Sequence, residues 1–391
     1  MMKRKFLACS ALLLTSMALS TAAVAADFPD PLPPEELGTS ATLPEKYPAN
    51  WMFVQDLYFA SLLDGRAAIV DVAAENGNLK GQIPVAQFGN LTPSTTKPEI
   101  YVGETFYSRL TRGERTDVIT IWDTKTLAPK GEIVLPGGKR SQSVTVRNSL
   151  QLTNGEKWAL VFDFTPGASV TVVDLEGRKV LGDIGIPGCS QIYPTGARGF
   201  SSLCADGSIA TVLLDEAGAA TKTVSSKPFN DIDNDPMFMM PAMVGHTAWF
   251  TTFKGNFRGI DLSGDVAKVL PAFSITKPAG GNPEWRPGGW QVISADPAGN
   301  LYVLMNPAGK EGTHKDGGTE VWVVNPQKKA LTLRIPLQHH SVSVEVTQQD
   351  KPLVVASLPG GNLDVYDAAT GAFVRTITGT AADPMVMTAV R

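Results

Sequence analysis

The sequence predicts an all-β protein, a seven-bladed β-propeller. A short β-rich segment that ends in Asp, or once in Asn, recurs seven times along the chain. Successive copies lie 41 to 64 residues apart, about the length of one propeller blade. Helical periodicity is almost absent. The residues that end the copies are Asp71, Asp123, Asp174, Asp215, Asp261, Asn325 and Asp367.

Each copy has the pattern of a β-hairpin. In "SVTVVDL" (169–175) alternating apolar residues face a neighbouring sheet, and the Asp starts a turn in which its carboxylate can accept backbone N–H groups. Most copies are followed by a second β-rich run, such as "GEIVLP" (131–136). One such sheet cannot bury both faces, so the copies must pack around a ring. A pair of β-sandwiches is the alternative, but it does not explain the regular period.

Residues 1–25 have the pattern of a secretory signal peptide. Three basic residues, 3–5, precede a short apolar run, and "AVA" at 23–25 supplies small residues for cleavage. A membrane anchor is the alternative, yet a spanning helix needs about 20 mostly apolar residues and this stretch is shorter and rich in Ser and Thr. We therefore expect cleavage near Ala25, export to the periplasm and no membrane anchor.

Residues 26–50 form a proline-rich arm with almost no apolar periodicity. Two interpretations stay open: a disordered tail, or an arm that becomes ordered against a partner subunit. The propeller itself is expected to occupy residues 51–391.

Cleavage of the signal peptide would remove Cys9 and leave Cys189 and Cys204 as the remaining cysteines. In an oxidising compartment a disulfide is the favoured interpretation. A metal site lacks ligands, because the chain has no CxxC motif and only four His. Cleavage would also change the formal net charge from −4 to −7, which argues against nucleic acid as a partner.

Catalytic and metal-binding motifs are absent from the sequence. It contains no HExxH, GxSxG, P-loop or GxGxxG. "NDIDNDPMF" (230–238) begins like a calcium loop, but Pro236 and Ala242 stand where Gly and a bidentate Glu are required. We therefore expect a scaffold with no catalytic residue and no metal site.

Three segments, 107–136, 285–291 and 306–325, resemble the heavy subunit of tryptophan tryptophylquinone-dependent amine dehydrogenases, the family of the methylamine and aromatic amine dehydrogenases. The similarity extends from about residue 51 to the C-terminus. The segment 188–208 resembles the part of that family that carries a disulfide. The resemblance therefore implies a Cys189–Cys204 bridge that closes a hairpin-like excursion beside one blade.

The resemblance also implies the function. In this family the tryptophan tryptophylquinone cofactor and the catalytic base belong to a separate small subunit, and two heavy and two small subunits form a tetramer. The family oxidises primary amines to aldehydes and passes the electrons to a blue copper protein. The heavy subunit closes the substrate channel over the quinone, so none of the Trp residues here is assigned to a cofactor.

The resemblance places the channel wall in the segment 56–71, where Phe59 and Leu62 correspond to apolar residues that face the substrate. A third channel position falls near "QFGN", at Asn90 or Phe88. The preferred amine stays open, because the 306–325 segment is more similar to the aromatic amine branch and the 285–291 segment to the methylamine branch. The alternative function is a freestanding secreted propeller that binds ligands or proteins without chemistry, since the fold alone decides no function.

Overall fold

The computed structural model describes residues 42–275 and 284–391, and these residues form seven antiparallel sheets arranged in a ring. The predicted seven-bladed β-propeller is thereby confirmed. In the described residues the helical segments are four short 3-10 turns, at Leu62–Asp64, Pro136–Gly138, Arg147–Ser149 and Thr313–Lys315.

The strands follow the chain order blade by blade. The first four blades contain β1 (Trp51–Asp56), β2 (Arg66–Asp71), β3 (Leu79–Pro84); β4 (Asn90–Pro93), β5 (Glu99–Arg109), β6 (Arg112–Asp123), β7 (Pro129–Leu135); β8 (Leu150–Thr153), β9 (Trp158–Asp163), β10 (Ser169–Asp174), β11 (Lys179–Gly185); and β12 (Cys189–Thr195), β13 (Gly199–Cys204), β14 (Ile209–Leu214), β15 (Ala220–Ser225). The fifth blade contains β16 (Ala242–Val244), β17 (Thr247–Thr251), β18 (Asn256–Asp261), β19 (Lys268–Val269) and β20 (Phe273–Ser274). The sixth contains β21 (Arg286–Pro287), β22 (Ile293–Ala295), β23 (Leu301–Asn306), β24 (Gly318–Asn325) and β25 (Ala330–Ser341), and the seventh contains β26 (Ser343–Val346), β27 (Leu353–Ser357), β28 (Leu363–Asp367) and β29 (Phe373–Ile377). The last strand of the chain is β30 (Pro384–Ala389).

The ring is closed by the last strand. β30 pairs antiparallel with β1, with Phe53 opposite Thr388, and so becomes the inner strand of the first blade. That blade therefore combines both ends of the described chain, and backbone hydrogen bonds hold the ring shut.

The repeated Asp starts the turn after the third strand of each blade. Asp71 Oδ1 accepts the backbone N–H of Ala73 at 3.1 Å, and Asp367 Oδ1 accepts that of Thr370 at 2.8 Å. The other five copies make the same kind of bond, and in the fourth blade the strand ends one residue before Asp215. The predicted role of these residues is thus confirmed.

The end of the N-terminal arm packs on the first two blades. The Tyr47 ring lies 5.3 Å from that of Trp51, and its hydroxyl donates to the Thr124 carbonyl at 2.6 Å. Tyr47 is buried in the core between these blades, next to Phe53 and Ile100. Residues 42–50 of the predicted arm are therefore an ordered part of the propeller, while residues 26–41 and the predicted signal peptide lie outside the described residues.

Cys189 and Cys204 form the disulfide, with their Cα atoms 3.9 Å apart. The two residues face each other across β12 and β13, the two innermost strands of the fourth blade. The predicted pairing is confirmed, but the bridge does not close an excursion beside a blade. The fifteen-residue spacing is the length of one hairpin within the blade, which brings its two ends together.

Candidate functional site

One face of the ring collects two kinds of connection. In a four-stranded antiparallel blade, the turn from the second to the third strand and the connection to the next blade emerge at the same end of the strands. We call this side the upper face. It carries, among others, the connections 57–65, 85–89, 136–149 and 226–241.

The upper face exposes large apolar side chains. Of the twelve such side chains that are exposed among the described residues, seven lie in its connections or in the part of the β5–β6 hairpin that extends past β4 and β7. Scattered single residues of this kind are ordinary, whereas a concentration on one face indicates a surface that binds a partner or ligand. The seven are Phe59, Leu63, Phe106, Leu110, Phe164, Ile232 and Met239.

Phe59 is 46% exposed, and its backbone is fixed from both ends of the chain. Its N–H donates to Asp383 Oδ2 at 2.8 Å. The buried Asp56 accepts the N–H groups of Tyr58 at 3.0 Å and Asp383 at 2.8 Å in return. Two aspartates 327 residues apart therefore tie the Phe59 connection to the chain that enters β30. Sequence reasoning missed both, because neither belongs to a motif.

The other predicted channel residues lie nearby in different settings. Leu62 begins the 3-10 turn of the Phe59 connection. Phe88 is partly exposed in the 85–89 connection, and this connection contacts the first through a hydrogen bond from Val85 N–H to the Gly65 carbonyl at 2.8 Å. Asn90 is only 4% exposed, and both of its polar groups are bonded within the chain.

A cavity of about 480 Å³ opens on the same face, nearer the axis. Its apolar lining comes mainly from the 226–241 connection, which Asp235 holds in place by accepting the Lys254 N–H at 2.7 Å and the Asn256 amide at 2.6 Å. The calcium-like "NDIDNDPMF" segment therefore uses this carboxylate to shape the loop. Lining residues include Ile232, Met237, Phe238, Met240, Phe253 and Trp290.

Several polar groups near this face are bonded to the protein. Trp290 Nε1 donates across the axis to the Thr145 carbonyl at 2.8 Å. The adjacent His339 and His340 have separate partners, the Asp364 carboxylate and the Asp316 carbonyl. In the part of the chain that the structure describes, no three His, Cys, Asp or Glu side chains are grouped so as to hold a metal ion. In the same residues, no helix is long and apolar enough to cross a membrane.

The fold and the exposed side chains define the class of protein: a seven-bladed β-propeller that exposes several large apolar side chains on one face. Propellers of this shape are widespread, and a 6-phosphogluconolactonase-like structure from Bacteroides uniformis superposes with a TM-score of 0.58 at 12% identity, covering 86% of this chain and 98% of that one. At that identity the likeness shows the fold alone.

The sequence comparisons identify the family. A family model described as "Methylamine dehydrogenase heavy chain (MADH)" matches residues 54–391, so the chain belongs to the methylamine dehydrogenase heavy chain family. The heavy chain of Paracoccus versutus is 31% identical over 73% of this chain and 67% of its own length. That of Methylorubrum extorquens is 30% identical over 87% and 82%. The protein is therefore a subunit of an amine-oxidising oxidoreductase, and a heavy chain implies a light-subunit partner.

Proposed function

We propose that this chain is the cofactor-free heavy subunit of a periplasmic amine dehydrogenase that oxidises primary amines to aldehydes and ammonia. Two heavy and two small subunits form the enzyme, and a blue copper protein accepts the electrons. The tryptophan tryptophylquinone of the small subunit supplies the redox chemistry. Family membership over residues 54–391 carries the proposal, and the apolar side chains exposed on the upper face support it.

The small subunit docks on the upper face in this proposal. Exposed apolar side chains in several blades give this face groups that a partner subunit can bury. Exclusion of water by such an interface strengthens the electrostatic interactions inside the channel. The heavy chain therefore contributes enclosure and shape, while reactive groups come from the partner.

Phe59 and Leu62 wall the channel in this proposal, and Asn90 supports the wall from within. The Phe59 ring projects from a connection that Asp56 and Asp383 hold rigid, so it restricts the side chain of an incoming amine. The buried Asn90 acts through its bonds to Arg140 and the Val146 carbonyl rather than through an exposed group.

Co-expression with the small subunit tests the proposal. The heavy chain alone is expected to show no quinone absorbance and no amine dehydrogenase activity. The purified complex should show both, its quinone spectrum should change on addition of methylamine or a bulkier primary amine, and it should reduce a blue copper protein. A heavy chain that never binds the small subunit would favour the freestanding scaffold instead.

Two further measurements examine processing and assembly. N-terminal sequencing of the exported protein should begin at Ala26, because cleavage is expected after Ala25. Deleting residues 27–41 while keeping the packed Tyr47 should weaken the tetramer if the arm reaches a partner subunit. Unchanged assembly would make that segment a plain tail.

A further inference from the structure

Arg140 is a buried cation that the function described so far uses only as a hydrogen-bond partner of Asn90. It lies in the connection from the second to the third blade, and its side chain is 2% exposed. Burial lowers the pKa of its guanidinium to about 10, although Asp117 and Glu104 partly oppose the effect. A buried charge is costly unless its hydrogen bonds are well made. The bonds of Arg140 therefore indicate what it holds in place.

The guanidinium forms hydrogen bonds with the connection that carries Phe88. Its Nη1 donates to the Phe88 carbonyl at 3.1 Å and to Asn90 Oδ1 at 3.0 Å. On the other side its Nε donates to Thr105 Oγ1 at 3.0 Å, and Thr105 in turn donates to Asp117 at 2.7 Å. Arg140 therefore connects the second blade to the backbone of the 85–89 connection.

Other buried groups hold the same connection. Glu104 Oε1 accepts the Ala86 N–H at 3.0 Å. The Gly89 carbonyl accepts Gln55 Nε2 at 3.2 Å and Thr145 Oγ1 at 3.0 Å. Side chains from the first blade, the second blade and the connection to the third therefore converge on five residues of backbone.

Phe88 has an unusual backbone conformation within this connection. Its φ is +51°, a left-handed conformation that is strained for a bulky residue and persists only where surrounding contacts enforce it. Gly89 and Asn90 are buried, whereas Phe88 stays partly exposed on the upper face. The buried hydrogen bonds therefore hold Phe88, a partly exposed aromatic residue, in place on the upper face.

The fixed connection lies directly against the one that carries Phe59. The two backbones share the hydrogen bond from Val85 to Gly65, and they are also in close contact. A Cβ at Gly65 would lie 2.3 Å from the Val85 carbonyl oxygen. Two partly exposed aromatic residues, Phe59 and Phe88, therefore stand on abutting connections, each held by buried polar groups.

We propose that Arg140 is a positioning residue for the substrate channel: it holds the Phe88 backbone so that the Phe88 ring completes the wall begun by Phe59. The inference rests on the proposed function and adds to it a residue that touches no substrate. Loss of the Arg140 bonds releases the 85–89 connection, so a wider range of amine side chains enters the channel.

The test compares Arg140→Met, which keeps the length of the side chain but removes its donors, with Arg140→Lys, which keeps the charge and one donor group. In the isolated chain, hydrogen exchange of the peptide covering 85–90 should rise about tenfold or more in the Met variant and less in the Lys variant. In the complex, the ratio of kcat/KM for a bulky and a small amine should shift by ~3- to 10-fold in the same order.

Ser201→Ala is the matched control. Ser201 is fully buried in a hydrogen-bonded chain with Thr195 and Thr211 in the fourth blade, away from the channel. It should lower stability without affecting either readout. A rise in exchange spread evenly over all blades in Arg140→Met, or an amine ratio equal to that of the control, would overturn the inference.

The outcomes separate the inference from the proposed function. If the wild-type complex oxidises no amine, the proposed function fails, and exchange at 85–90 still decides whether Arg140 positions this connection. If the complex is active and Phe59→Ala shifts the amine ratio while Arg140→Met does not, the inference alone fails. Should Arg140→Met not fold, Phe88→Ala provides the second variant. An unchanged amine ratio in Phe88→Ala would show that Phe88 is not part of the channel wall and would also refute the inference.

Discussion

Arg147 and Glu345 form an ion pair near the propeller axis, with Arg147 Nη1 2.8 Å from Glu345 Oε2. Arg147 precedes the inner strand of the third blade, and Glu345 lies on the inner strand of the seventh. Glu345 is 3% exposed and also accepts Gln291 Nε2 at 2.8 Å and the Ser294 hydroxyl. One buried carboxylate thus links three blades, and both Arg147 and Glu345 line a cavity of about 420 Å³.

Glu345→Ala should destabilise the propeller strongly. The change leaves the Arg147 charge and two hydrogen-bond donors without their acceptor, which costs about 3–5 kcal/mol for a buried pair. Urea denaturation measures the loss. Lys139→Ala is the control, since water screens its exposed pair with Asp183 and stability should hardly change. Equal effects of the two variants would contradict the role of the axial pair.

The disulfide should stabilise the fourth blade although it is not needed for the pairing of β12 with β13. Replacing Cys189 and Cys204 together by Ala should lower the free energy of unfolding by about 3 kcal/mol, the value of the loop-entropy model for a closure of fifteen residues. Thiol labelling of the folded, exported wild type should find no free cysteine. Two reactive thiols in that sample would contradict the bridge.

Asp163 should make the stability depend on pH. Burial raises the pKa of its carboxyl to about 6, with Asp183 adding to the effect and the Thr171 hydrogen bond opposing it. The folded state therefore holds a proton that the unfolded chain releases near pH 4, and stability falls as the pH rises from about 4 to about 6.

Asp163→Asn removes this proton and keeps the shape and an acceptor for Thr171. Its free energy of unfolding relative to the wild type should rise by about 2 kcal/mol between pH 4 and pH 7, and stay level above. Denaturation curves at four or five pH values provide the measurement. A difference that stays constant over this range would show that Asp163 does not titrate there.

The repeat could be recognised in the sequence because the hydrogen bonds that define it are local. Each Asp bonds N–H groups within four residues, as Asp71 does with Ala73, so the same short pattern appears in every blade. The disulfide could be predicted because cleavage of the signal peptide is expected to leave two cysteines, Cys189 and Cys204, in an oxidising compartment. Its place inside a blade could not, since pairing of β12 with β13 depends on the register of a whole sheet.

The contacts that shape the site were not predictable from the sequence, because they join distant segments. Phe59 depends on Asp383, 324 residues away, and Phe88 depends on Arg140, 52 residues away. Neither partner has a motif, and each acts through a backbone group that any residue possesses. Asn90 illustrates the same limit, because its residue type did not reveal that the fold buries its side chain.

Phe59→Ala gives the sharpest test of the channel. Because the ring is 46% exposed, its removal should change stability little, whereas a fully buried Phe would cost about 3–5 kcal/mol. If the ring lines the channel, the wider pocket should shift the ratio of kcat/KM between a bulky and a small amine by about tenfold, or ~1.4 kcal/mol. Both quantities are measured on one reconstituted complex, by kinetics and by melting temperature.

Two control variants separate the explanations of that result. Phe373→Ala removes a ring of similar exposure, 41%, from the outer strand of the seventh blade, and should leave the amine ratio unchanged. Phe53→Ala removes a buried ring of the same blade as Phe59, and should lower the melting temperature without changing the ratio. Only a residue of the channel wall is expected to change the amine ratio while stability is kept. If Phe59→Ala behaves like Phe53→Ala, Phe59 belongs to the core. If it behaves like Phe373→Ala, Phe59 is an ordinary surface residue.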